Sequence, residues 1–307
     1  MPETFLRIGT RTVAVCVFLL LIAGALVTST QSGLAVPDWP LSYGKVMPPM
    51  VGGILYEHGH RLVAAAVSTL VGLEMATLFF FEGRKTVRLL GVIAFVAILA
   101  QALLGGLTVL FLLPPAVSSA HAALAEIVFA LTAVVALMCS KGWENFRISL
   151  KGEEARSAFR WVVLATAAVY LQIVVGAVMR HTGAGLAIPD FPTSFGGLLP
   201  TFEEISRPGV PVHLAHRLGA LAVVLLVFRA AKALAALSER LPLLATAGAA
   251  WAGLVCLQAF LGASSIWSAK AVPLTVAHLA VGALCWVIGV LASVALAAGF
   301  SDKLARD

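Results

Sequence analysis

Two stretches of the chain, GALVTSTQSGLAVPDWPLSYG at residues 24–44 and GAVMRHTGAGLAIPDFPTSFG at residues 176–196, align without a gap at an offset of 152, and eleven of their 21 positions are identical. The correspondence continues outside them with small insertions. His60-Arg61 returns as His216-Arg217 at an offset of 156, while Gln101 to Gly105 return as Gln258 to Gly262, and Ala120-His121 as Ala277-His278, at 157. The chain is one unit written twice, so the fold of the first copy should recur in the second.

Around this repeat the composition is that of a membrane protein. Of 307 residues, 60% are hydrophobic and 12% charged, and the mean hydropathy is +0.99. A soluble domain is about half apolar and about a quarter charged, so an ordinary soluble enzyme is excluded. The net charge of +6 does not indicate nucleic acid, because the basic residues are few and sit between apolar runs. Cys16, Cys139, Cys256 and Cys285 form no CxxC pair, which argues against a disulfide or zinc framework.

Eight runs are long enough to cross a bilayer as helices, at about 12–30, 60–81, 89–113, 116–139, 161–180, 212–236, 243–267 and 272–299. The expected fold is an all-α integral membrane protein of two tandem four-helix bundles. Each copy holds an even number of spans, so a pseudo-twofold axis along the membrane normal should relate them. The expected divisions are an N-terminal half at 1–140, a linker at 141–160 and a C-terminal half at 161–307. The first run leads directly into the repeated motif and is read as retained rather than as a cleaved signal. With the N-terminus inside, Arg7, Arg11, Arg84, Lys85, Arg88, Lys141, Arg147, Lys151, Arg156, Arg160, Arg229, Lys232, Arg240, Lys303 and Arg306 are inside, leaving Lys45, Arg61, Arg180, Arg207, Arg217 and Lys270 outside. That 15 to 6 distribution predicts both termini on the cytoplasmic side of a bacterial-type cytoplasmic (inner) membrane. The outer segments 31–59 and 181–211 are rich in Gly and Pro and carry Trp39, Tyr43, Phe191 and Phe195, as interfacial chain would.

Four of the seven histidines occupy matching places in the copies: His60 and His216 open the second helix of each, and His121 and His278 lie near the start of the fourth. Both members of a pair are then at similar shallow depth toward the outer face, the placement of two axial ligands to a flat iron macrocycle held between helices. One intramembrane histidine is as easily a hydrogen-bonding partner of a neighbouring helix; duplication of the pair is the argument for ligation. Zinc or copper would need further ligands nearby, and only the first copy offers one, Glu57. Arg61 and Arg217 directly follow the second-helix histidines as candidates for pairing with a propionate, or as interfacial anchors. Arg180 is a weaker propionate candidate.

The copies differ at one position of interest. Glu57, His60 and Arg61 form an ExxHR pattern, whereas His213 stands in the glutamate's place before His216 and Arg217. A carboxylate one turn from a ligand can accept a proton or stabilise cationic charge, which suggests chemistry in the first half and a held cofactor in the second. As an acid at a helix N-terminus it also has a purely structural explanation. Glu74 and Glu126 lie within spans, where an ionisable group is a functional candidate. Gln101 and Gln258, preceding Gly105-Gly106 and Gly262-Ala263, suggest close packing with an interhelical hydrogen bond. Asp38 and Asp190 are expected to cap turns in the outer loops, and His58 and His181 to lie in those loops, open to solvent.

GALVTSTQSGLAVPDWP, the EHGHR at 57–61, the repeat and the four matched histidines together give the chain, over essentially its whole length, a resemblance to the haem A synthase family. The resemblance implies eight membrane helices and a haem b ligated by His216 and His278. It also implies haem O as substrate on His60 and His121, with Glu57 as the catalytic acidic residue. The implied reaction oxidises a methyl group of haem O to a formyl group through hydroxylated intermediates, giving haem A for cytochrome oxidase. Implied partners are haem O, an electron carrier, haem O synthase and the lipid bilayer. Some members carry cysteine pairs in the outer loops; this chain has none at 31–59 or 181–211 and resembles the cysteine-free branch. Two other functions fit parts of the pattern. A dihaem b-type electron carrier linked to quinol would keep two permanent haems, and the Glu57/His213 difference speaks against it. A small-molecule transporter would place its polar residues nearer the midplane.

Overall fold

The computed structural model of the protein describes residues 2–146 and 150–300. Arg147, Lys303 and Arg306, assigned above to the inner side, lie outside the described residues. Nine α-helices follow in order among them: α1 (Pro2–Ser29), α2 (Gly53–Phe81), α3 (Lys85–Leu110), α4 (Pro115–Met138), α5 (Glu153–His181), α6 (Phe202–Ile205), α7 (Val210–Ala235), α8 (Pro242–Trp267) and α9 (Val272–Phe300). All but the short α6 are long and apolar enough to cross a bilayer, which makes this a multi-pass membrane protein. Prolines stand in the first turns of α4, α7 and α8, where the missing N–H has no partner to lose.

The expected spans are all present, most of them starting earlier than expected, while α3 ends at Leu110 rather than near 113. The correction that bears on the site is in α2, which begins at Gly53 rather than near residue 60. Gly52 enters the helix at φ 54°, and Gly53 sits so close to Ala35 that any side chain there would collide with it. The chain is thereby turned into the helix seven residues early, and Glu57 and His58 become helical. Helix α5 begins at Glu153, with Glu153 and Glu154 favouring its N-terminus, so part of the expected linker is helix.

Helices α1, α2, α3 and α4 contact one another in a closed cycle, and so do α5, α7, α8 and α9. The two sets meet where α1 and α4 touch α9 and where α4 touches α5. Close approach relies on small residues, since lipid offers no hydrophobic drive between helices. On α9, Gly289 is pressed against Trp251 of α8 and Thr166 of α5, and Ala292, Ala295 and Ala298 are buried on the same helix. Large apolar residues such as Leu103, Phe79, Leu171 and Leu225 face outward, as expected for a surface bathed in lipid.

Each outer loop folds the same way. Asp38 accepts from the amides of Tyr43 (2.6 Å) and Gly44 (2.8 Å), and Asp190 from those of Phe195 (2.7 Å) and Gly196 (2.8 Å). These bonds hold a tight turn in which Tyr43 and Phe195 take positive φ of 54° and 56°. The capping role expected of both aspartates is what the structure shows. The peptides Trp39-Pro40 and Phe191-Pro192 are both cis.

Candidate functional site

The four paired histidines are each seated against a glycine of an adjacent helix. A Cβ on Gly24 (α1) would lie 3.3 Å from the His60 ring, and one on Gly105 (α3) 3.0 Å from His121. In the second copy the distances are 2.9 Å from Gly176 (α5) to His216 and 3.1 Å from Gly262 (α8) to His278. The same two contacts thus occur in each copy, each glycine making a notch in which an imidazole lies edge-on between helices. Sequence reading took Gly105 and Gly262 as packing residues and missed this use, although the recurrence of Gly24 as Gly176 carried the signal.

The rings of His216 and His278 have centroids 6.5 Å apart and planes inclined at 71°. Two metal–imidazole bonds of about 2 Å, with about 1 Å from each nitrogen to its ring centre, put a pair of axial ligands roughly 6 Å apart. The separation therefore fits an iron macrocycle between the rings. His278 donates from Nδ1 to the Gln258 carbonyl at 3.1 Å, which leaves the lone pair on Nε2 for a metal. Gln172 of α5 reaches Nδ1 of His216 at 3.0 Å and also donates to the His216 carbonyl at 2.7 Å. In the first copy Gln101 donates to the His121 carbonyl at 2.9 Å and approaches Nε2 at 3.3 Å, while Nδ1 of His60 and of His121 are buried without a partner. The interhelical bond expected of Gln101 is present; at Gln258 the backbone carbonyl takes part instead and the side-chain Oε1 is buried without a partner, and Gln172 was not singled out by sequence. Among the described residues, no three His, Cys, Asp or Glu side chains gather as a metal-ion site, so these donors come in pairs.

Glu57 and Arg61 form an ion pair at 2.5 Å, and the other Glu57 oxygen accepts the Val36 amide at 2.8 Å. In the second copy Nδ1 of His213 accepts the matching amide, that of Ile188, at 3.2 Å. Both residues therefore hold the loop from the same place, one with a negative charge and one without.

The arginine forks close on these loops. Arg61 donates to the carbonyls of Asp38 (2.7 Å), Leu41 (3.0 Å) and Val36 (3.3 Å), and Arg217 to those of Asp190 (2.6 Å), Thr193 (2.8 Å) and Ile188 (3.2 Å). Both arginines anchor their loops through these carbonyls, and Nε of Arg217 is buried without a partner. Arg180 is engaged too: it crosses between the sets of helices, donating to Ser29 Oγ (2.6 Å) and the Ala25 carbonyl (3.2 Å) of α1, and Thr275 of α9 joins the same hydroxyl at 3.1 Å.

Two of the loop assignments are corrected. His58 is not open to solvent: it lies in α2, 5% exposed, with Nδ1 2.7 Å from Ser42 Oγ, because that helix starts early. His181 is the last residue of α5 and half-buried. Glu74 is buried with neither carboxyl oxygen partnered, and Glu126 with Oε2 unpartnered beside the Trp286 indole, which donates to the Glu126 carbonyl at 3.0 Å. Outside the spans, the hydroxyl of Thr193 and the amide of Gly196 pull Asp190 down to about 2, and burial pushes the Cys139 thiol up to about 12.

Eight spanning helices that bring two histidine pairs into glycine notches define a polytopic membrane protein built around paired imidazole sites. A family model described as cytochrome oxidase assembly protein matches residues 51–290. The chain is 30% identical to a heme A synthase of Bacillus pumilus over 273 residues, 85% of each chain. It is 32% identical to a heme A synthase of Halalkalibacterium halodurans over 219 residues, covering 68% of this chain and 70% of that one. A third heme A synthase, of Geobacillus thermodenitrificans, is 30% identical over 223 residues, 70% of this chain and 67% of its own. The chain belongs to this cytochrome oxidase assembly family, the haem A synthases.

Proposed function

We propose that this chain is a haem A synthase, a membrane oxidoreductase that converts a methyl group of haem O to a formyl group. The observation that carries this reading is the duplicated seating of His60, His121, His216 and His278 in glycine notches, with a ligand-like separation at the second pair. In this reading His60 and His121 hold haem O in the half spanning 1–140. His216 and His278 hold haem b in the half spanning 161–307, with 141–160 joining them. Haem b, when bound, supplies reversible one-electron chemistry between the substrate site and an external electron carrier.

The chain's own groups shape the rest. The notches let each ring be clamped by backbone on one side, limiting rotation about the ligand bond. In this reading Glu57, paired with Arg61 and the Val36 amide, stabilises positive charge developing at the first site. Arg61 and Arg217 fasten these loops to the helices that carry His60 and His216. The 15 to 6 bias of basic residues supports a cytoplasmic (inner) membrane with both termini inside, and the substrate's own chemistry points to haem O synthase as the supplying enzyme.

The test is co-expression of the full chain with a haem O source, followed by mass analysis of extracted haem. Haem A should appear with the wild type and vanish with Glu57→Ala, while bound b-type haem persists in that variant and is lost in His216→Ala. Two unmodified haems per chain and no formylated product would instead establish the dihaem carrier.

A further inference from the structure

The two histidine pairs differ in what stands behind them. In the second half both ligands have a partner on Nδ1, Gln172 for His216 and the Gln258 carbonyl for His278; in the first half Gln101 approaches Nε2 of His121, whereas Nδ1 of His60, the counterpart of His216, is buried with no partner. The difference is written into the repeat. Leu20 stands where the second copy has Gln172, and Val63 stands where it has Gly219. Those two exchanges belong together, because Gly219 of α7 provides the space that the Gln172 amide fills and any side chain there would collide with it.

A partner on the far nitrogen fixes the ring's orientation and makes the ligating nitrogen more basic, and losing such a partner typically lowers metal affinity about 10–100-fold. With iron on Nε2 the His216 ring carries its proton on Nδ1, so the Gln172 amide turns its oxygen to accept that proton and gives up the bond its NH2 makes to the His216 carbonyl. We propose that Gln172, in the space left by Gly219, is the positioning residue that makes the second-half pair a retaining site, and that Leu20 and Val63 leave the first-half pair a releasing one. A catalyst whose substrate and product are both macrocycles needs this inequality, since one must stay and the other must leave. The inference rests on the reading that both pairs ligate haem.

The experiment uses the purified full chain, measuring haem content, haemin titration and the midpoint potential of the bound haem. Gln172→Leu should bind haemin at the second site about 10–100-fold more weakly and raise the potential, because a less basic imidazole stabilises ferric iron less. The change in potential is a readout that loose packing alone would not produce with this sign. Gln172→Glu should lower the potential. Independently of whether Gln172→Leu folds, the pair Leu20→Gln with Val63→Gly should make the first site retain haem through purification. Wild-type haem content and potential in Gln172→Leu, or no added retention in the first-half variant, overturns the proposal. If His216→Ala keeps its haem, the ligand assignment itself has failed; if His216→Ala loses haem while Gln172→Leu matches wild type, only the role of Gln172 has.

Discussion

Glu57 accepts the Val36 amide as His213 accepts the Ile188 amide, so position and loop contact are shared and charge is what separates the copies. This makes Glu57→His a sharper substitution than alanine. The imidazole can keep the loop in place, as it does in the second copy, while removing the carboxylate. Haem A formation should fall by about 100-fold, the scale of losing one preorganised electrostatic group, with b-type haem content unchanged. Full activity in that variant would reduce Glu57 to a loop anchor. Asp190 offers a pH test at the same scale. Its carboxyl is depressed from an ordinary 3.8 to about 2 by the Thr193 hydroxyl and the Gly196 amide, so the ionised form favours the folded turn. Its contribution is fully present above pH 3.8 and is lost as pH falls through about 2. A carboxyl NMR titration should find the midpoint near 2; one near 3.8 would mean that the turn does not hold. Residue identities of this kind were readable from the repeat, but the partners were not: nothing in the string pairs Gln172 with His216, 44 positions away, or aims Arg61 at carbonyls rather than a ligand.

Between elements, the loop is fastened to the helices by an aromatic ring. A methyl group on Gly106 of α3 would fall 2.7 Å from the indole of Trp39, so the ring lies flat on the helix backbone next to the notch for His121. The second copy has Ala263 and Phe191 at these two positions, a larger helix residue with a smaller ring. Gly106→Ala should therefore destabilise the protein by about 1–3 kcal/mol through overpacking, and Trp39→Phe should recover much of it. Thermal unfolding of the two single variants and the double variant in detergent measures the coupling; additive effects would refute it. The elements themselves were largely foreseen, because eight apolar runs leave lipid-exposed backbone no alternative to helix. Their ends were foreseen less well, since hydropathy does not register a polar turn such as Tyr56 to Arg61 that is helical for tertiary reasons. That error misplaced His58 and hid the way Glu57 reaches the loop.

Across the whole molecule, eight spans imply a sidedness that labelling can check. With native cysteines replaced, Lys45→Cys should react with a membrane-impermeant maleimide added outside intact cells, and Lys151→Cys only after permeabilisation; the reverse pattern would invert the topology. Cys139, whose thiol burial holds near 12, should stay unmodified at pH 8 in the native chain even in open membranes. The two sets of helices are joined by apolar packing along α1, α4, α5 and α9, and at the C-terminal ends of α1 and α5 by Arg180 reaching to Ser29. The indole on Gly106 has one more consequence. Porphyrins absorb where tryptophan emits, and Trp39 rests on Gly106, next in the chain to Gly105, the glycine on which His121 rests. The part of the emission that disappears in Trp39→Phe is thus an optical gauge of the first site: it should dim by energy transfer as haem O arrives and brighten as product departs, reporting turnover without any added label.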